Sequence, residues 1–216
     1  MDTNVRNNDV AEEDRHSIQT YVSDMLALER HIGQPLNRQQ QFEDASRYTN
    51  AASLINRIKA TNDAHIATLE RRLEALGGHA ASPIKSGWSA LLGVGAAAID
   101  SVRKTKISKS LRDDYTALNL AAMGYTMLNA TALGMGDAAS ASMAKQCLGD
   151  YAKIIVEIVQ AMPDVVLQEL VDTGVSVAPM AADQARRDTD ECWRTSSPQY
   201  ETQVTSTVST TFGGSA

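Results

Sequence analysis

Four long stretches of this chain repeat apolar residues every three or four positions, the spacing that gathers side chains on one face of an α-helix. The first stretch runs from about Val10 to Ile32 through Ile18, Val22 and Met25, with Gly33 and Pro35 as its stop. The second runs from about Gln41 to Leu76 through Ile55, Ile58, Leu69 and Leu73, and ends at Gly77-Gly78. The third runs from about Ser108 to Leu133 through Leu111, Tyr115, Leu118, Ala122, Tyr125 and Asn129, and breaks at Gly134 and Gly136. The fourth starts at Asp137, a good N-cap residue, and runs to Met162 through Ala139, Met143, Cys147, Ile154 and Ile158. Pro163 then starts a short continuation to Asp172.

Between the second and third stretches, Ser82-Pro83 opens a shorter apolar element, Ile84 to about Lys104. It is expected to cross from one helical hairpin to the other. After Gly174 the character changes: Ala181 to Trp193 predicts one more short, charge-rich helix, and a Ser/Thr-rich tail follows. The fold class expected is all-α: an antiparallel four-helix bundle with a crossover helix, a short extra C-terminal helix and a flexible tail. The corresponding divisions are a polar extension over 1–17, the bundle over 18–172, a helical appendage over 173–194 and the tail over 195–216. In that tail Val204, Ser206, Val208, Thr210 and Phe212 alternate with polar residues, a strand-like pattern able to add to the sheet edge of an unknown protein partner. Its composition favours a flexible segment instead.

Charge narrows the function classes. Lys and Arg number 20 against 26 Asp and Glu, so the chain lacks the overall basic field that nucleic-acid binding needs. A local basic run (Arg103, Lys104, Lys106, Lys109 and Arg112) reads as a solvated helix connection. Two cysteines make no disulfide framework, and Cys147 reads as a small buried hydrophobe. The acidic stretch Met1 to Ser17 has no apolar signal core, and the longest apolar run, Ala90 to Ile99, is too short to span a bilayer. The expectation is a soluble cytoplasmic protein, with no membrane partner. No phosphate-binding glycine loop, nucleophile elbow or zinc-protease motif occurs.

Polar residues interrupt the apolar stripes: Glu29 on the first helix, Asn62 and His65 on the second, Asn119 on the third and Asp150 on the fourth. Helix bundles build metal sites from inward-facing side chains of this kind. The pattern resembles the ferritin-like proteins, and within them the stress-associated YciE/YciF-like branch. The likeness rests on His65-x-x-x-Leu69-Glu70-x-x-Leu73-x-x-Leu76-Gly77 and on Asn119-Leu120-Ala121-Ala122-Met123-Gly124, and spans roughly Tyr21 to Met162.

That resemblance implies a carboxylate-bridged di-iron site, with a Glu from each of two helices and a Glu-x-x-His pair from each of the others. Carried over, the first-helix glutamate falls on Glu29 and the second-helix pair on Asn62 and His65. The third-helix carboxylates fall near Thr116 and Asn119, and the fourth-helix carboxylate on Asp150 with Lys153 three residues on. Most of the ligand set is lost. The metal candidates that survive are Glu29, His65 and Asp150, with Asn62, Asn119 and Lys153 as neighbours. Lys153 reads two ways: its ammonium replaces the metal charge, or it points outward to pair with Glu157.

The expected function is therefore a non-catalytic ferritin-like helical-bundle protein, a stress-associated scaffold acting as a homodimer without a cofactor. The alternative is an iron- or zinc-binding, oxidase-like protein using the reduced His/carboxylate set.

Overall fold

The structure is a computed structural model that describes residues 3–39, 47–78 and 106–196, with side chains from residue 15 to residue 195. It is all-α. Helices α1 (Thr3–Gln39), α2 (Thr49–Ala75), α3 (Ile107–Gly134) and α4 (Ala138–Asp172) form the bundle, and α5 (Ala181–Ser196) lies against α4. The main helix contacts are α1 with α2, α3 with α4, α1 with α3, and α2 with α4. The expected crossover helix over Ile84 to Lys104 and residues 197–216 of the expected tail lie outside the described residues.

Side-chain pairs give every direction. Arg30 of α1 meets Glu70 of α2, and Gly78, just past α2, lies against Gln19, so the first hairpin is antiparallel. Gln39 meets Asp114 while Glu29 meets Tyr125, so α1 and α3 are antiparallel too. Arg57 pairs with Glu157 and Arg72 with Asp137, which sets α2 against α4 in the same sense. Consequently α2 ends beside the Gln19 level of α1, whereas α3 begins near Gln39. Residues 79–105 thus join opposite ends of the bundle, about 30 Å apart at 1.5 Å per helical residue.

Neither internal proline breaks its helix. α1 continues through Gly33 and Pro35 to Gln39, and α4 continues through Pro163 to Asp172 as one helix. A proline inside a helix removes one backbone hydrogen bond. Here burial outweighs it: Leu36 beyond Pro35 and Val165 beyond Pro163 extend the apolar stripes into the core. Arg186 of α5 also binds the turn around Pro163, donating to Asp164 Oδ2 at 2.7 Å and to the Gln160 carbonyl at 3.5 Å.

Other boundaries match local chemistry. Gly77 ends α2 with φ +84°, and the Gly78 N–H closes back on the Leu73 carbonyl at 2.9 Å. Asp137 caps α4 by accepting the Ser140 N–H at 3.0 Å. Arg72 of α2 braces that cap, donating to Asp137 and to Ser140 Oγ. The start of α3 has no cap on its own side chains; Glu169 of α4 accepts both the Ser108 N–H and its hydroxyl, at 2.9 and 2.7 Å. The described part of α2 begins at Thr49, because Tyr48 leaves helical geometry and its hydroxyl donates to Asp172. No helix among the described residues is long and apolar enough to cross a membrane.

The stripe of α3 is wider than the expected one and displaced from it. Ile107, Leu111, Asp114, Leu118, Ala121, Gly124, Tyr125, Leu128 and Ala132 are buried, whereas Tyr115, Ala122 and Asn129 are only half-buried. α3 serves two neighbours, α1 and α4, and so turns a broad face inward.

Candidate functional site

Midway along the bundle one carboxylate is completely enclosed: Glu29 is 0% exposed. Removing a carboxylate from water costs several kcal/mol unless hydrogen bonds replace the solvent. The other three helices of the bundle contribute that replacement. Tyr125 of α3 donates its hydroxyl to Glu29 Oε1 at 2.6 Å, and Nδ1 of His65 on α2 lies 3.2 Å from the same oxygen. Asn62 of α2 donates Nδ2 to Oε2 at 2.7 Å, and Tyr151 of α4 donates its hydroxyl to that oxygen as well. The Asn62 Nδ2 also reaches the Glu29 backbone carbonyl at 2.9 Å. A carboxylate has about four lone-pair sites, and each is filled by a protein donor.

The rings around this carboxylate pack edge to face. The His65 centroid stands 4.5 Å from that of Tyr151 and 5.6 Å from that of Tyr125. Burial disfavours a charged imidazole. The Cys147 sulfur and the Glu29 carboxylate more than compensate, and His65 is held as a cation with its pKa up at about 10. Burial and the neighbouring negative charge of Glu29 push both tyrosine pKa values well above the ordinary phenol range. Both therefore remain hydrogen-bond donors.

The expected residues separate into those brought together and those turned away. Glu29, Asn62 and His65 meet in the core. Asp150 stands at its rim, with Oδ2 3.6 Å from His65 Nε2 and a side chain 38% exposed. Lys153 points outward, 78% exposed, with Nζ 4.0 Å from Asp150 Oδ1; Glu157 pairs with Arg57 instead. Asn119 is exposed and donates to the Tyr115 carbonyl at 2.7 Å on its own helix. Thr116 likewise bonds back to Arg112. Both lie on the outer face of α3.

Glu29, His65 and Asp150 form a row, not a pocket. Glu29 faces one ring nitrogen of His65 and Asp150 faces the other, so the imidazole stands between the two carboxylates. A single ion needs its ligands to converge on one point. Glu29 offers no free lone pair, and among the described residues no three His, Cys, Asp or Glu side chains are placed to hold a metal. This donor set does not fit a carboxylate-bridged di-iron centre.

Sequence reasoning missed the two phenols as functional groups. The periodicity marks Tyr125 only as a seam position and assigns no role to Tyr151 beside Asp150. Its signal was present, since Tyr151 follows Cys147 by four residues on the same helical face. Cys147 is buried as expected, at 2% exposure, but lies against His65 instead of in purely apolar surroundings. No protein-family model, curated protein or solved structure matches this chain.

Proposed function

We propose that this protein is a non-catalytic, ferritin-like helical scaffold in which side-chain donors and the His65 cation take the place of iron around Glu29. The observation that carries the reading is the filled donor shell: two tyrosines, an asparagine and a histidine occupy every acceptor site of the fully enclosed Glu29. The chain path supports the ferritin-like comparison, because two antiparallel hairpins are joined between opposite ends of the bundle. A cytoplasmic homodimer associated with stress physiology belongs to the same reading. Fold likeness does not itself assign function, so the site must be tested directly.

The test is metal content after anaerobic Fe²⁺ and Zn²⁺ loading, on wild type and on His65→Ala with Glu29→Ala. Wild type is expected to retain no stoichiometric metal after desalting. Near-stoichiometric metal in wild type that disappears in the double variant would instead establish the iron- or zinc-binding alternative. Light scattering on the wild-type protein checks the dimer.

A further inference from the structure

A second buried carboxylate sits apart from Glu29, at the end of the bundle where α1 stops and α3 starts. Asp114 is 5% exposed, and its partner Gln39, the last residue of α1, is 9% exposed. Gln39 Nε2 donates to Asp114 Oδ1 at 2.9 Å. The remaining oxygens of the pair, Gln39 Oε1 and Asp114 Oδ2, are both enclosed, and among the described residues neither has a hydrogen-bond partner. Two orphaned acceptors on one interacting pair are costly, because burial removes their water and no donor replaces it. A single proton removes both faults, because a carboxylic acid has one donor where a carboxylate has none.

We propose that Asp114 is held as a neutral carboxylic acid whose Oδ2–H donates to Gln39 Oε1, closing a reciprocal acid–carboxamide pair that latches the last turn of α1 to α3 and opens when the proton leaves.

Among the described residues, the charges at this end leave the acid form uncontested. Among the described residues no cation forms an ion pair with Asp114. Arg38 on α1, and Lys106 and Lys109 at the start of α3, are exposed. Arg47 and Tyr48, before α2, are engaged by Asp172 at the end of α4. Arg112 pairs with Asp113, and Glu169 of α4 is held by Ser108. Burial pushes the Asp114 carboxyl up to about 7, the Gln39 N–H pulls the other way, and the Asp113 charge adds to the rise. Because the folded value lies above the ordinary carboxylate value, the stability the latch contributes is fully present below about pH 4. It is lost as pH rises through about 7. Deprotonation would leave a negative oxygen facing the Gln39 carbonyl, with no donor between them.

Asp114→Asn tests this, because its amide supplies a permanent N–H to Gln39 Oε1 while Oδ1 still accepts. Hydrogen exchange over residues 36–39, corrected for intrinsic rates, is expected to lose at least tenfold protection in wild type between pH 6 and pH 8.5. Asp114→Asn is expected to lose none. Parallel losses in the two proteins would overturn the proposal. A carbon-13 titration of the wild-type aspartates decides independently of how well the variant folds. One carboxyl titrating near neutral supports the latch, and all carboxyls ionised at pH 6 would refute it.

Discussion

Asn62 rests on Gly33: its Oδ1 lies only 2.7 Å from where a Cβ on that glycine would stand. The missing side chain is what lets α2 press its carboxamide against α1 and deliver Nδ2 to Glu29. Gly33→Ala should therefore destabilise the protein by about 2 kcal/mol, although alanine favours helix by about 1 kcal/mol in an open setting. Gly124→Ala is the contrast. Its Cβ would meet the Met25 thioether, the movable end of a flexible side chain, so a smaller loss is expected. Urea denaturation of the two variants checks the difference, and equal losses would undo the argument.

The four donors on Glu29 act as one unit. Tyr125→Phe and Tyr151→Phe should each cost about 1–3 kcal/mol, since each leaves part of a buried carboxylate unsatisfied. Glu29→Gln should cost more than either, because an amide turns two of its own hydrogens toward groups that already donate. In the Glu29→Gln background the tyrosine substitutions should lose most of their effect. A double-mutant cycle measures this coupling, and strict additivity would show that the phenols serve packing alone.

His65 makes the core sensitive to alkali. Its folded pKa of about 10 lies above the ordinary histidine value of 6.5. The stability it contributes is then fully present below about pH 6.5 and is lost as pH rises through about 10. The loss between pH 6 and pH 10 should be about 4 kcal/mol, and absent in His65→Gln. Denaturation midpoints between pH 6 and pH 10, collected in the Asp114→Asn background, separate this window from the lower one of the Gln39–Asp114 pair. A wild-type profile as flat as that of His65→Gln would rule out a charged His65.

The start of α4 depends on α2. Burial alone would raise the pKa of Asp137, but the Ser140 N–H and hydroxyl and the Arg72 guanidinium hold it below the usual carboxylate range. Arg72→Met should cost about 1–2 kcal/mol at pH 7, as expected for a partly buried, charge-assisted contact. The penalty should shrink as acid protonates Asp137 below about pH 4, since a depressed pKa gives stability that is lost as pH falls. Thermal melts at pH 7 and pH 3 check it: a penalty independent of pH would mean that Arg72 acts only through its packed stem.

Much of the architecture is local and could be read in advance. Three- and four-residue periodicity located all four bundle helices, Gly77 ended α2 and Asp137 capped α4, because these signals depend only on near neighbours in the chain. Glu29, Asn62 and His65 were also legible as core positions, being polar residues set in strong apolar stripes. Tertiary contacts decided the rest. Pro35 reads as the stop of α1, and Pro163 as the start of a separate continuation, until Leu36 and Val165 have a core to enter. The α3 cap comes from Glu169, 61 residues downstream of Ser108. Side-chain direction is the most demanding case, since one residue along a helix turns the face by about 100°. That rotation puts Tyr151 in the core beside Glu29 while leaving Asp150 at the rim. On α3 it sends Asn119 outward and brings the phenol of Tyr125 to the carboxylate.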